Sequence, residues 1–423
     1  MKKSIILLAV IAALSSCKHV PEQWIEFDSD WSSLDPETCF IPTKSSYGTI
    51  SESSINNCLV PGAVTVKEAE EETKTTSFNA TALARELVSN LISSTTKSYI
   101  GTYKSIDQDG NPIRLSGRII VPANGQVSRI MVVGHFTIGN NLEAPSEAFP
   151  IEGVFAGKGL AVIISDYIGY GVTADLVHPY LCAELTARNV VDMYEAALPF
   201  LEFINCKPKY DDIFIYGYSQ GGATAVAVQK YMEEDRPHID IRICLAGGGP
   251  YDICATYDKI VENDYTDYPC AIPMIIQGMN IGNHIDLDLT KIFQPVMCEN
   301  IDKWINSKNY YMHEITQMMG SKKVSTILTE EARNKLSPEM GKLYLAMIDN
   351  STVQSFEPIS PLYLFHSMDD MVVPFENAVA MRTHLSNTNA NVSYNFGKYG
   401  SHTAGFLRFL LTVMEYLGKE GDI

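Results

Sequence analysis

The sequence reads as an α/β protein with a mostly parallel central sheet, helices on both faces and one large helical insertion. Three observations carry that reading. Short apolar runs rich in Val and Ile recur at 129–133, 160–165, 213–216, 241–246, 361–365 and 391–396, and most are uninterrupted, as strands covered on both faces must be. Helical patterns fill several intervals between them, and parallel strands need such crossovers. Between residues 252 and 357 the alternation stops for about 105 residues, and Tyr-rich, Met-rich and helical-looking segments such as 330–348 take over. The 423 residues supply a substantial core, and with 46% apolar and 19% charged residues the composition is that of an ordinary globular chain.

In chain order, Lys2 and Lys3 precede ten apolar residues, Ile5 to Leu14, and then Ser15, Ser16 and Cys17. This is the charged, apolar and small-residue order of an export leader, too short to span a bilayer as a helix. The run Leu14-Ser15-Ser16-Cys17 resembles the lipobox of bacterial lipoproteins. That resemblance implies a signal peptide over 1–16 and a mature protein held to the membrane by a lipid on Cys17, in the cell envelope. Eight further cysteines, at 39, 58, 182, 206, 244, 254, 270 and 298, would then meet an oxidising space in which bridges can form. Cys182 and Cys206 flank a predicted helix roughly 30 Å long, beyond disulfide reach, so they are not expected to pair with each other.

Residues 17–97 read as an irregular extension rich in Ser and Thr, with an acidic patch at 68–72 and one helix over 80–92. From Ser98 the pattern changes. Segments 98–106 and 113–121 read as strands joined by the turn signal Asp109-Gly110-Asn111. The first part of the core runs to 252, the insertion covers 253–358, and the core resumes over 359–423. The best helical pattern is 183–203, where Ala187, Val190, Val191, Tyr194, Ala197, Leu198 and Leu201 recur at steps of three and one.

The chemistry centres on Gly217-Tyr218-Ser219-Gln220-Gly221-Gly222. A buried strand precedes it and a small-residue helix follows, the context of a serine presented on a sharp strand-to-helix turn. A Cβ at Gly217 or Gly221 would collide with its neighbours, and such strained turns cost about 1–3 kcal/mol. A serine hydroxyl is a weak nucleophile near neutrality, so it needs a base in hydrogen-bond reach and a carboxylate to orient that base. His366-Ser367-Met368-Asp369-Asp370 stands at the carboxyl end of the strand at 361–365, and Tyr399-Gly400-Ser401-His402 follows the last strand. Asp370 is the favoured acid, Asp369 the alternative, and His402 the expected base. His366 could compete, but it precedes the acid where the base should follow. Two backbone N–H groups are expected to face the developing negative charge: that of Gln220 and one from the loop Gly134-His135-Phe136-Thr137, with Thr137 ahead of Phe136.

Asp370 to Pro374 fits the D-x-x-V-P segment of α/β-hydrolases. Ser165-Asp166-Tyr167-Ile168-Gly169-Tyr170-Gly171, then His178-Pro179-Tyr180-Leu181, resembles the D-Y-x-G-x-G and H-P-Y elements of the secretory lipase family of α/β-hydrolases. With the Ser219 turn, the late Asp and His and the insertion, the likeness spans about 98–417. Cutinase-like enzymes share the Gly-Tyr-Ser-Gln-Gly turn but are short and lidless. Related enzymes often carry His-Gly-Thr where this chain has His135-Phe136-Thr137. The resemblance implies an α/β-hydrolase fold whose insertion caps the active site and shapes an acyl pocket. Asp166 and His178 are expected to brace loops, and any single Tyr or Met of the insertion to fill its core.

The expected function is therefore serine hydrolysis of small-molecule carboxylic esters by Ser219, His402 and Asp370 through an acyl-enzyme. A serine exopeptidase and a non-catalytic binding lipoprotein are the rival readings. No zinc spacing, phosphate loop or dinucleotide fingerprint occurs, so no metal or cofactor is expected. A formal charge of −18, from 32 basic and 50 acidic residues, argues against nucleic-acid binding.

Overall fold

The computed structural model describes residues 24–36, 39–42, 96–354 and 356–419. The expected leader, Cys17, Cys58 and the helix expected over 80–92 lie outside the described residues. Among the described residues ten strands form one sheet: β1 (Ile25–Glu26), β2 (Ile41–Pro42), β3 (Thr96–Ile106), β4 (Pro112–Pro122), β5 (Arg129–Gly134), β6 (Leu160–Ser165), β7 (Lys209–Tyr218), β8 (Asp240–Gly247), β9 (Leu362–Ser367) and β10 (Val392–Gly397). Their spatial order is β1-β3-β4-β6-β5-β7-β8-β9-β10, with β2 on β3. From β6 to β10 every pairing is parallel, while β3, β4 and β6 pair antiparallel.

The β3–β4 hairpin turns where the Asp-Gly-Asn signal stands. Asp107 Oδ1 accepts the Asp109 and Asn111 N–H groups, and Gly110 takes φ 77°, a left-handed conformation that glycine adopts without a Cβ penalty. In the central strands successive residues serve opposite faces. Ile130, Val132, Ile213 and Ile215 pack under α1 (Ala183–Phe203), α2 (Gln220–Asp235) and α10 (Phe375–Leu385). Met131, Val133, Phe214 and Tyr216 pack instead against α11 (His402–Lys419) and the 3₁₀ segment Ile151–Lys158. This two-sided burial is why these strands are apolar throughout. By contrast β10 is an edge strand, with Ser393 and Tyr394 exposed.

Two short pieces before Thr96 join the sheet: β1 pairs with β3, and the Phe27 that follows is fully buried in the core. Between β8 and β9 lie α3 (Ile253–Asn263), α4 (Ala271–Gly282), α5 (Leu289–Ile292), α6 (Pro295–Ile301), α7 (Met312–Met319), α8 (Glu330–Arg333) and α9 (Pro338–Asn350). They enclose a hydrophobic core of their own, which includes Tyr257, Met274, Met279 and Trp304. The helical stretch expected over 330–348 is two helices. Lys335 has φ 57°, the Ser337 hydroxyl accepts the Met340 N–H, and Pro338 at the first helical position starts α9 afresh.

The seven described cysteines carry no disulfide. Bridges were a possibility raised by the leader, but these sulfurs are spread over separate elements. Cys182, Cys244 and Cys270 are buried, and burial pushes their thiols up, to about 12 for Cys182 and Cys270. Among the described residues no helix is long and apolar enough to cross a membrane.

Candidate active site

Ser219 sits between β7 and α2 with φ 60° and ψ −126°, a left-handed backbone that a side-chain-bearing residue adopts only under constraint. Its N–H donates to the Gly247 carbonyl at 2.9 Å, tying the turn to β8. A Cβ on Gly217 would overlap the Gly221 carbonyl, and one on Gly221 would overlap the Gly134 carbonyl at the end of β5. The two glycines thus let the turn, the helix and the neighbouring strand converge.

His402 begins α11, and its imidazole spans two partners. Nδ1 is 2.6 Å from Asp370 Oδ2 and Nε2 is 2.8 Å from Ser219 Oγ. A carboxylate only accepts, so Nδ1 carries the proton and Nε2 is left to accept from the Ser219 hydroxyl. Asp370 Oδ1 is held by the Val372 and Val373 N–H groups, each at 2.9 Å. Burial alone would raise the Asp370 carboxyl. The facing His402, its hydrogen bond, His366 and the Val373 N–H outweigh burial and hold it below the usual carboxylate range. The loop before His402 is tied at both ends, because Tyr218 OH donates to the His402 carbonyl and Ser367 Oγ to the Gly400 carbonyl, both at 2.7 Å.

The alternatives stand elsewhere. Asp369 is exposed, and the hydrogen bond of His402 Nδ1 goes to Asp370 instead. His366 is fully buried, donates Nε2–H to the Val373 carbonyl at 2.9 Å, lies 3.8 Å from Asp370 Oδ2 and is held neutral chiefly by burial. No hydrogen bond joins it to Ser219 among the described residues.

Gln220 is the first residue of α2, so its N–H has no carbonyl four residues back within the helix. Its side chain is pinned. His178 Nδ1–H donates to the Ile168 carbonyl at 2.7 Å, which leaves Nε2 to accept the Gln220 amide at 2.7 Å. Burial pushes the His178 imidazole down to about 3, keeping that tautomer neutral. Thr137 lines the same cavity as Ser219, and its hydroxyl lies 2.7 Å from the Tyr180 hydroxyl. Asp166 braces the intervening loops, accepting from Ser116 Oγ at 2.5 Å and the Ser146 N–H at 2.8 Å.

The cavity is about 140 Å³ and is lined by Ser219 and His402, by Phe136, Leu181 and Phe406 of the core, and by Ile260, Tyr268, Ala271, Ile275, Tyr311 and Met312 of the insertion. Of the Tyr and Met residues noted in the insertion, Tyr268, Tyr311 and Met312 reach this wall. A family model described as "Secretory lipase" matches residues 146–408. The chain belongs to the secretory lipase family. Membership places it among hydrolases that act on esters, and the matched span holds Ser219, Asp370, His402 and the whole insertion. Among solved structures, this secretory lipase family member is similar to the rice cell wall degrading esterase LipA from Xanthomonas oryzae, with a TM-score of 0.67, 20% identity and coverage of 79% of this chain and 92% of that one. It is also similar to Candida antarctica lipase A in its closed state, with a TM-score of 0.57, 15% identity and coverage of 76% and 78%. At these identities the likeness concerns the fold. No curated protein matches the chain.

Sequence reasoning missed Ile260, Ile275 and Glu143, all of which line the cavity. The two isoleucines resemble any core residue of an amphipathic helix, so no local signal marks them. Glu143 did leave a trace. Asn140-x-x-Glu143 is a capping-box spacing, and the structure closes that box.

Proposed function

We propose that the protein is a serine carboxylic-ester hydrolase in which Ser219, His402 and Asp370 act as one relay. The observation that carries this reading is the bridging imidazole of His402, 2.8 Å from the Ser219 hydroxyl and 2.6 Å from the Asp370 carboxylate. Ser219 Oγ bonds to the acyl carbon as His402 Nε2 takes the hydroxyl proton, and Asp370 steadies the imidazolium that forms. The carbon–oxygen bond to the alcohol then breaks, and His402 returns the proton to the departing oxygen. Water, deprotonated by the same imidazole, cleaves the acyl-enzyme and regenerates the serine. The Gln220 and Thr137 N–H groups are the proposed donors to the oxyanion, each contributing roughly 3 kcal/mol.

The insertion, residues 253–358, serves in this reading as a cap whose walls select the acyl group. An apolar cavity of about 150 Å³ accommodates a benzene ring, so the 140 Å³ here suits a compact acyl group of roughly that size. Family membership and the leader sequence together favour an extracytoplasmic protein tethered through a lipid on Cys17. Cys17→Ser would then move it from the membrane fraction to the soluble fraction, and retention in the membrane would count against the tether.

Ser219→Ala tests the chemistry. Turnover of p-nitrophenyl butyrate should drop by at least about 10⁴-fold with an unchanged circular dichroism spectrum, and a fluorophosphonate probe should no longer label the protein. Undiminished turnover would overturn the proposal.

A further inference from the structure

Apart from Ser219 and His402, the cavity wall is mostly apolar or aromatic, yet it includes one carboxyl group, that of Glu143. The relay does not use it. Glu143 belongs to the loop after β5, and both of its hydrogen bonds end on one oxygen. The Gly139 N–H at 3.1 Å and the Asn140 N–H at 3.0 Å both donate to Oε2. Oε1 is taken up by no described residue. Closing a capping box needs one acceptor, which leaves a second in the wall of a cavity that contains the Ser219 hydroxyl.

The surroundings fix what that oxygen can receive. The titratable groups that feel its charge are the Tyr170 and Tyr311 hydroxyls and the Glu314 carboxylate, and the charge of Glu314 opposes ionisation of Glu143. The Tyr170 hydroxyl is already committed to the Ile138 carbonyl at 2.7 Å, and Glu314 is committed to the Tyr311 N–H at 2.9 Å. No Lys or Arg lines the cavity. Burial, first, and then Glu314 push the Glu143 carboxyl up to about 7, so near neutrality it is only partly ionised. Such a group is better matched to a neutral donor than to a cation. An exposed imidazole, His313, and the ring of Tyr311 share this part of the wall.

Resting on the hydrolase reading above, we infer that Glu143 Oε1 is a substrate-binding acceptor that recognises a hydroxyl group carried by the ester. The substrate class is therefore a compact ester with a free hydroxyl, on either its alcohol or its acyl portion. A site built to bond a hydroxyl disfavours the analogue lacking it, because its own polar group is then left buried and unpaired.

Two matched pairs of esters test this. Glycerol 1-butyrate against propyl butyrate places the hydroxyls on the alcohol, and ethyl 4-hydroxybutyrate against ethyl butyrate places one on the acyl chain. The wild-type ratio of kcat/KM in one pair should favour the hydroxylated member by about tenfold or more, carried mainly in KM. Glu143→Gln keeps an oxygen for the Gly139 and Asn140 N–H groups and turns an N–H₂ toward the cavity, from which a substrate hydroxyl can accept, so the loop cap and most of the preference should be kept. Glu143→Ala, which removes the acceptor and the loop cap together, should lower turnover of all four esters and bring the ratio toward one. A ratio near one in both wild-type pairs, or a ratio that survives in Glu143→Ala, overturns the inference while leaving the hydrolase intact. A preference confined to butyrylcholine over propyl butyrate also overturns it, since the group recognised is then a cation with no hydrogen to donate. Absence of turnover with all of these esters overturns the hydrolase reading itself.

Discussion

Asp370→Asn probes the relay at the point where geometry decides the outcome. The asparagine can enter in two orientations. With its oxygen at the Oδ1 position it keeps the Val372 and Val373 N–H bonds, both 2.9 Å in the native site. The reverse orientation would aim an N–H₂ at those two donors and lose both bonds, costing on the order of 1–3 kcal/mol for each unsatisfied group. The first orientation wins. It places an N–H₂ where Asp370 Oδ2 stood, 2.6 Å from His402 Nδ1. Nδ1 must then accept, the ring proton moves to Nε2, and Nε2–H points at the Ser219 hydroxyl, from which it can no longer take a proton. A relay caught in the wrong tautomer loses roughly 10⁴ in kcat, about 5.4 kcal/mol of transition-state stabilisation. The assay is kcat for p-nitrophenyl butyrate, with thermal melting to show that the fold is kept. Asp369→Asn, at an exposed position, is the matched control and should stay within about twofold of wild type. If Asp370→Asn retained more than a tenth of wild-type kcat, the assignment of Asp370 and the tautomer argument would both fail.

Two further outcomes follow from groups outside the relay. Burial pushes the Glu152 carboxyl from 4.5 up to about 7, so between those pH values the folded chain keeps a proton that the unfolded chain has released. Stability should therefore be greatest below pH 4.5 for this group, decline through the window by roughly 3 kcal/mol, and level off above it. Urea melts of wild type and Glu152→Gln should diverge by about that amount at pH 8 and converge near pH 4.5, and parallel curves would refute the claim. In the cavity wall, Ile275→Ala should move the acyl-length optimum toward longer p-nitrophenyl esters, because Ile275 lines the cavity from α4; an unmoved profile from acetyl to octanoyl would place the acyl group elsewhere.

The sequence carried the fold and the positions of the proposed relay because both leave local marks. Two-sided burial forces continuous apolar runs such as Arg129–Gly134 and Leu160–Ser165, and the convergence at Ser219 forces glycine at 217 and 221. The helix at Ala183–Phe203 shows its period because only one face is buried. Where such marks weaken, the reading loses detail. The break between α8 and α9 was written as Ser337-Pro338, yet the helical pattern on either side hid it. Short strands such as Ile25–Glu26 hold their place by pairing with β3, and two residues carry no period.

What the amino-acid order determined by itself was therefore the placement of the proposed chemistry: a serine on a strained turn, an acid after one strand and a histidine after the next, because each must stand where a strand ends. What only the folded molecule decided was selection. Which of two adjacent aspartates turns inward depends on the Val372 and Val373 amides that receive it. The composition of the cavity depends on side chains more than 100 residues apart, Glu143 from a core loop and Ile275 from an inserted helix. Neither has a neighbour in sequence that reveals its neighbour in space.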